Sequence, residues 1–250
     1  MTAINTNAGA LNARASAVSA TAKMERAMER LSSGVRVNSA ADDAAGLAVA
    51  GKMESQLRGI NMSIRNAQDG VGLIQTAESG LNEIRNMVLR IRELAVQMAN
   101  GIYENTPDRS NAQLEVTALI DQVTLIAENT RFNDVAVLDG SFTGVTIQAG
   151  NTTAETITLS FVDVASSGLS IDTATVATQS DATVAMGTMD TALETISQEQ
   201  AKFGSLINRL NYSIANQSNA SVMTEQAIGR VMDADFAAET TNLSKQQILN

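Results

Sequence analysis

Two short acidic clusters are the residues of this sequence most suited to metal chemistry. Asp42 and Asp43 are adjacent, and Asp233 and Asp235 flank a single alanine. Carboxylate oxygens bind hard cations, but no further ligands accompany either cluster at a regular spacing. Acidic residues beside predicted helix starts commonly accept hydrogen bonds from the first amides and interact with the helix dipole. We therefore predict helix caps at both places and no metal site.

Catalytic chemistry is restricted further by two residue types that the chain lacks. It contains no His and no Cys, which excludes imidazole acid-base catalysis, thiol nucleophiles, thiolate metal sites and disulfides. A protease insertion would need a metal-binding helix of the His-Glu-x-x-His type, and a chain without His cannot form one. Gly70, Gly72 and Gly80 lie inside a helical pattern without a preceding strand, so they do not form a phosphate-binding loop. We predict a protein that is not an enzyme and needs no cofactor.

Charge and composition narrow the choice of partners. The 250 residues carry a net charge of -10, with an isoelectric point near 4.5. Such a surface repels nucleic acid phosphates and anionic lipids. Residues 1–27 have neither an early basic cluster nor an uninterrupted apolar stretch, the features typical of a secretory signal or membrane anchor. We expect neither nucleic acid nor a membrane as partner.

Apolar residues that recur every four and three positions predict long amphipathic helices. With an aromatic content of only 3% and no Trp, small and aliphatic side chains must fill the narrow seams between such helices. The two longest alternations comprise Ile4, Ala8, Leu11, Ala15, Val18 and Ala22, and then Ile60, Ile64, Ala67, Val71, Ile74, Ala77, Leu81, Ile84, Val88, Ile91, Ala95 and Met98.

The remaining segments complete a mainly α prediction. Residues 32–46 mix helix breakers with potential caps and indicate an irregular connector. Helical periodicity returns at 116–127, after the sole proline, and again from residue 193 onward. Between them, β-type runs at 145–148 and 156–161 predict a hairpin. The predicted fold is a long antiparallel helical, coiled-coil rod with a small β-hairpin region at about 137–180.

Several segments resemble bacterial flagellins, in the same order along almost the whole chain. They are Ile4-Asn5-Thr6-Asn7, Leu31-Ser32-Ser33-Gly34, residues 38–48, residues 64–70, residues 90–97 and Asp233-Ala234-Asp235-Phe236. The resemblance implies a structural subunit that polymerises into the extracellular flagellar filament for swimming motility.

The resemblance also implies two domains. Residues 1–44 and 224–250 are expected to form an inner coiled-coil domain that lines the filament channel. Residues 45–223 are expected to form an outer domain of long helices. Flagellins continue past the position of Asn250 with an apolar, Leu-rich segment, so we expect the C-terminal part of the inner domain to be truncated here.

The stripe nearest the N-terminus is the predicted assembly surface, with Ile4, Leu11, Val18 and Leu31 as its larger members. It is diluted with alanine and buries too little apolar area to offset the entropy of ordering a helix by itself. We therefore expect the inner-domain segments to be poorly ordered in the monomer and to fold on polymerisation, although an autonomous helical hairpin is the simpler alternative.

Further partners follow from the resemblance alone. Besides copies of itself in an open helical homopolymer, a flagellin is expected to bind an export chaperone, cap and junction proteins, and to leave the cell through the flagellar type III system. Toll-like receptor 5 of animal hosts recognises related flagellins, and the matching motif transfers this role to Arg90, Leu94 and Glu115. The alternative for these three residues is packing between filament subunits.

Two other classes of protein share the helical pattern. A hook-filament junction protein or another coiled-coil interaction module, such as a receptor signalling hairpin, would also have long amphipathic helices. The central β segment and the matched motifs favour a flagellin over the signalling hairpin, and less firmly over the junction protein.

Overall fold

The computed structural model describes residues 7–249 and confirms the mainly α prediction. In this part of the chain the elements are α1 (Ala8–Ser33), α2 (Ala44–Met98), α3 (Ser110–Asn129), β1 (Arg131–Phe132), β2 (Val135–Ala136), β3 (Val145–Gln148), β4 (Thr156–Leu159), α4 (Gln179–Met232) and α5 (Phe236–Leu249). The chain divides into two compact units. Unit 1 comprises Met1–Ile60 and Asn219–Asn250, and unit 2 comprises Asn61–Ser218.

In unit 2, α2 and α4 run antiparallel. Gln200 donates a hydrogen bond to Asn82 at 2.7 Å, and Arg92 pairs with Asp190 at 2.5 Å. From the first of these contacts to the second, the residue number rises by ten on α2 and falls by ten on α4. The two helices therefore run in opposite directions.

The long apolar alternation of α2 forms the core of unit 2. Its members from Ile74 to Met98 are buried, as are the residues of α3 that continue the same pattern. The α3 residues are Val116, Ile120, Val123 and Ala127. Burial at alternating spacings of three and four residues is the arrangement expected where helices pack lengthwise on one another. The helical prediction for both segments is confirmed.

The predicted β-hairpin is also present. Strands β3 and β4 pair antiparallel, with Val145 opposite Leu159 and Ile147 opposite Ile157. Leu159 and Ile157 are buried in the core, so one face of β4 anchors the hairpin to the helices.

A second and smaller hairpin was not predicted. Strands β1 and β2 are joined by Asn133 and Asp134, whose φ angles are 50° and 63°. Two consecutive left-handed residues form the kind of two-residue turn that matches the twist of antiparallel strands, and Asn and Asp tolerate that conformation best.

Three phenylalanines link the region after α3 to α4. The ring centroids of Phe142 and Phe161 are 4.9 Å apart in a stacked arrangement, and those of Phe161 and Phe203 are 4.7 Å apart, edge to face. All three side chains are buried. This cluster supplies large apolar contacts that the rest of the aromatic-poor chain lacks.

A buried arginine holds the turn between α2 and α3. Arg109 lies at the end of the short turn Asn105–Arg109 and donates to the carbonyl oxygens of Met98 at 2.9 Å, Asn100 at 2.9 Å and Tyr103. Its guanidinium therefore satisfies the Met98 carbonyl at the C-terminal end of α2, where the helix leaves carbonyl groups without intrahelical partners, and two carbonyls of the segment that follows.

In unit 1, main-chain bonds join the ends of α1 and α4. Gly34 ends α1 in a left-handed conformation with φ of 72°, and its carbonyl accepts a hydrogen bond from Ala234 at 3.0 Å. Val35 forms a β-bridge with Asp233, and Arg36 N–H donates to the Met232 carbonyl at 2.6 Å.

Candidate interaction surfaces

Two of the predicted assembly residues are exposed on α1. Leu11 and Val18 have 55% and 63% of their surface accessible. Leu31 is half-buried, and Ile4 lies outside the described residues. The structure therefore leaves the apolar stripe between Leu11 and Val18 uncovered.

A different face of α1 contacts α5. The two buried residues of α1 are Ala20 and Ala27, and no described residue of α5 is buried. Sequence reasoning missed this face because it was guided by the larger apolar residues. The seven-residue spacing of Ala20 and Ala27 was the available signal, since two alanines one heptad apart let a neighbouring helix approach closely.

Further large apolar side chains of unit 1 are exposed on α4 and α5. They are Val222, Met223, Phe236, Ile248 and Leu249. Exposed apolar side chains that adjoin one another commonly mark interaction sites, so these residues are candidates for contact with a partner.

Arg90 and Glu115 meet on the surface of unit 2. Arg90 Nε lies 2.9 Å from Glu115 Oε1, and Arg90 NH1 lies 3.2 Å from Glu93 Oε2. These hydrogen bonds, above all the one to Glu115, raise the pKa of the Arg90 guanidinium. Arg90 and Glu115 are about half exposed and Glu93 is more exposed still, so the arrangement presents a charged group bridging α2 and α3.

Leu94 does not share this exposed surface. Only 4% of its area is accessible, and it packs into the core of unit 2. The resemblance assigned Leu94 to the same receptor-binding set, but its side chain is already surrounded by its own chain. The structure brings Arg90 and Glu115 together on the surface and places Leu94 in the packed interior.

The acidic clusters act as helix caps, as predicted. Asp43 Oδ1 accepts a hydrogen bond from Gly46 N–H at 2.9 Å near the start of α2. Asp235 Oδ1 accepts from Ala237 and Ala238 N–H at 2.9 and 3.1 Å at the start of α5.

Asp42 has a related role in the connector between α1 and α2. Its carboxylate accepts hydrogen bonds from the hydroxyl and the amide of Ser39, both at 3.0 Å. These bonds, with the hydroxyl contributing most, lower the pKa of Asp42. Over residues 7–249, no group of three acidic side chains converges in a way that would hold a metal ion. Within the same span, no helix is long and apolar enough to cross a membrane.

Comparison with known proteins identifies the family. Residues 4–143 match the bacterial flagellin N-terminal helical region, and residues 186–250 match the bacterial flagellin C-terminal helical region. A flagellin of Halalkalibacterium halodurans is 36% identical over 251 residues, covering 99% of this chain and 91% of that protein. A flagellin of Bacillus subtilis is 33% identical over 280 residues, with coverage of 99% and 92%.

Filament proteins and a solved structure agree with this match. The flagellar filament 33 kDa core protein of Treponema phagedenis is 36% identical over 267 residues, covering 98% of this chain and 91% of that protein. The crystal structure of a Bacillus cereus flagellin superposes with a TM-score of 0.55 at 32% identity, over 61% of this chain and 88% of that one. The chain therefore belongs to the bacterial flagellin family and is a non-enzymatic structural subunit of the extracellular flagellar filament.

Proposed function

We propose that this flagellin enters the filament by burying the exposed apolar side chains of unit 1 against neighbouring copies. The observation that carries the proposal is the exposure of Leu11 and Val18 on α1, together with Phe236 on α5. Complete burial of one such side chain contributes about 1.5–3 kcal/mol. Contacts between different faces of successive subunits do not close on themselves, so they generate an open helical polymer.

The same surface supports coupled folding and assembly. Within the monomer α1 buries only Ala20 and Ala27, and the described part of α5 buries nothing. So little intramolecular burial offsets only a small part of the entropy of ordering these helices. We infer that unit 1 supplies the inner domain of the filament, with the segments 1–44 and 224–250 gaining helical order when subunits join.

A double substitution tests the assembly surface. Leu11→Ser with Val18→Ser removes apolar area from exposed positions, while Leu11→Met with Val18→Ile retains it and serves as the matched control. We expect the serine variant to raise the critical concentration for seeded polymerisation by at least about tenfold, where tenfold is equivalent to about 1.4 kcal/mol, and the control to assemble normally. Equal critical concentrations would contradict the proposal.

Circular dichroism separates assembly from coupled folding. We expect the helical signal per residue to increase when soluble monomer is converted to filament. An unchanged signal would refute folding on assembly but leave the docking surface intact, so the two parts of the proposal fail separately.

The family resemblance adds partners that precede assembly. We propose that an export chaperone covers the apolar residues of α5 before passage through the type III system, and that cap and junction proteins contact the subunit at the filament ends. The exposure of Phe236 and Ile248 supports the chaperone proposal. Phe236→Ser should weaken chaperone binding measured by calorimetry, whereas Tyr212→Ser, which alters an exposed residue of unit 2, should not.

A second candidate function is recognition by Toll-like receptor 5. The half-exposed pair of Arg90 and Glu115 favours it, because a guanidinium at a surface can form bidentate contacts with a partner. Leu94, being buried, would act by supporting the helix surface and not by direct contact. Arg90→Ala should reduce receptor activation, with Arg58→Ala as an exposed α2 control. Full activation by Arg90→Ala and by Leu94→Ala would overturn this proposal.

A further inference from the structure

The turn after α2 contains the sole Asn-Gly pair of the sequence, Asn100 followed by Gly101. Both residues are exposed and lie between α2 and the turn Asn105–Arg109. We propose that this pair is a self-modification site, at which the Gly101 main-chain nitrogen attacks the Asn100 side-chain amide and the asparagine becomes aspartate or isoaspartate. The reaction consumes water and needs no other reagent.

The geometry of the turn brings the reacting groups together. Ile102 N–H donates to Asn100 Oδ1 at 3.2 Å, so the side chain folds back over the following peptide. An asparagine side chain that folds back onto the amide two residues on passes over the peptide between them, which here contains the Gly101 nitrogen. Among the residues that the structure describes, none accepts a hydrogen bond from Gly101 N–H, so no such bond has to break before that nitrogen attacks.

The Ile102 amide also assists the attack electrostatically. When the nitrogen adds to Cγ, negative charge develops on Oδ1. That oxygen already accepts the Ile102 N–H, and a donor placed beforehand at a developing oxyanion lowers the barrier to acyl transfer.

The chemistry is an acyl transfer followed by hydrolysis. Gly101 N–H loses its proton to solvent, the nitrogen bonds to Cγ, and the bond from Cγ to Nδ2 breaks as ammonia leaves with a proton. The product is a five-membered succinimide. Water then opens one of its two carbonyls. Cleavage at Cγ leaves aspartate, while cleavage at the main-chain carbonyl leaves isoaspartate, in which the chain runs through the former side-chain carbon.

Arg109 directs the second step toward isoaspartate. Its NH2 group donates to the main-chain carbonyl oxygen of Asn100 at 2.9 Å, and Tyr103 N–H donates to the same oxygen at 3.4 Å. These donors polarise that carbonyl and make its carbon the better target for water. The product adds a carboxylate and one main-chain carbon beside a guanidinium that also binds the Met98 carbonyl.

Gly101→Ala provides a matched control that the fold accommodates. Gly101 has no left-handed φ angle, and a Cβ placed there would lie 3.6 Å from Gln179 Nε2, an ordinary van der Waals contact. The added methyl group crowds the attacking nitrogen, so this variant should retain the fold and lose the reaction.

Peptide mass spectrometry of the folded full-length chain tests the proposal. After incubation at mildly alkaline pH, trypsin releases residues 93–109 as one peptide that holds both Asn100 and Asn105. We expect Asn100 to gain the mass that replaces NH2 by OH, Asn105 to remain unchanged, and mildly acidic incubation to suppress the conversion. Labelling with a protein isoaspartate methyltransferase, divided by the total conversion measured by mass, gives the isoaspartate share, which should be larger in the folded chain than in a synthetic peptide of residues 93–109 if Arg109 directs the ring opening.

Three outcomes would overturn the proposal. Conversion of Asn105 as fast as Asn100 would remove the role of the turn. Undiminished conversion in Gly101→Ala would show that the reaction does not depend on an unhindered main-chain nitrogen at position 101. Faster conversion in a synthetic peptide of residues 93–109 than in the folded chain would show that the fold protects Asn100.

Discussion

Arg92 on α2 donates from Nε to Oδ1 of Asp190 on α4 at 2.5 Å, joining residues that are 98 positions apart in the sequence. A second contact, from NH2 to Oδ2, measures 3.4 Å. The two bonds fix the guanidinium and carboxylate side by side, a geometry that is specific to arginine. They hold the two antiparallel helices in one register.

This pair gives unit 2 a defined pH dependence. The hydrogen bond from Arg92 is the main cause of the lowered pKa of Asp190. A carboxyl whose pKa is lowered by folding stabilises the folded state above its ordinary value of 3.8, and that contribution is lost as the pH falls through the lowered value. Asp190→Asn should therefore lower the Tm slightly at neutral pH, and the parent and variant curves should converge in strong acid.

A double-mutant cycle with Arg92→Gln is the control for this prediction. Once Arg92 is replaced, Asp190→Asn should cause little further change in the thermal unfolding profile. A difference between parent and Asp190→Asn that persists at the lowest pH would assign the effect to packing and not to the ion pair.

Gly80 should resist substitution although it lies inside α2. A Cβ at this position would lie 2.6 Å from Thr130 Oγ1 and 2.9 Å from Leu138 Cδ1. The Thr130 hydroxyl is held by a bond to the Ile126 carbonyl at 2.7 Å, and Leu138 is fully buried. Overpacking of about 1–3 kcal/mol should exceed the gain in helix propensity of about 1 kcal/mol, so Gly80→Ala should lower the free energy of unfolding.

Gly187→Ala is the matched control for Gly80→Ala. Gly187 lies in α4, and a Cβ there meets no atom within 4 Å. Only the propensity gain remains, so this variant should be stabilised by up to about 1 kcal/mol in urea unfolding. If Gly80→Ala and Gly187→Ala changed the free energy of unfolding in the same direction, the steric argument would be contradicted.

Phe203 should be among the most costly positions to truncate. Its side chain is fully buried and packs edge to face on Phe161. Phe203→Ala should reduce the free energy of unfolding by about 3–5 kcal/mol, because a cavity replaces the ring. Tyr212→Ala on the same helix removes an aromatic residue that is 79% exposed and should change stability by less than about 0.5 kcal/mol. Chemical denaturation of the soluble monomer measures both.

Arg109→Lys should weaken the turn between α2 and α3. Lysine retains the positive charge but not the planar set of donors that reaches Met98, Asn100 and Tyr103 together. Loss of these charged hydrogen bonds, of which the one to the Met98 carbonyl is buried, should cost about 2 kcal/mol. Hydrogen exchange should show faster opening at residues 95–103, and unchanged exchange there would contradict the proposed role of Arg109.

The helices and the larger hairpin were predictable because their patterns repeat. Each turn of α2 adds another apolar residue on the same side of the helix. Many residues between 74 and 98 therefore indicate the same buried face. The hairpin of β1 and β2 has strands of only two residues and a turn of Asn133 and Asp134, which provides no periodic signal.

The position of Leu94 illustrates what periodicity leaves open. The alternation of α2 assigned Ala95 to the core, yet Leu94 and Ala95 are both buried. Ion pairs join α2 to both α3 and α4, so two helices pack on it and its buried arc is wider than a single coiled-coil stripe. The apolar pattern of a sequence shows which side of a helix is buried, but it does not show how many other helices pack on that side.

The backbone pairing of Gly34 and Val35 with residues 233 and 234 has a consequence for variation in unit 1. Main-chain hydrogen bonds and the left-handed Gly34 align this part of the unit, and neither depends on the identity of outward-facing side chains. Substitutions at exposed positions such as Leu11 or Met223 can therefore change the surface of unit 1 while the paired backbone keeps its alignment. The side chains on this surface can therefore differ between related proteins without a change in the fold that carries them.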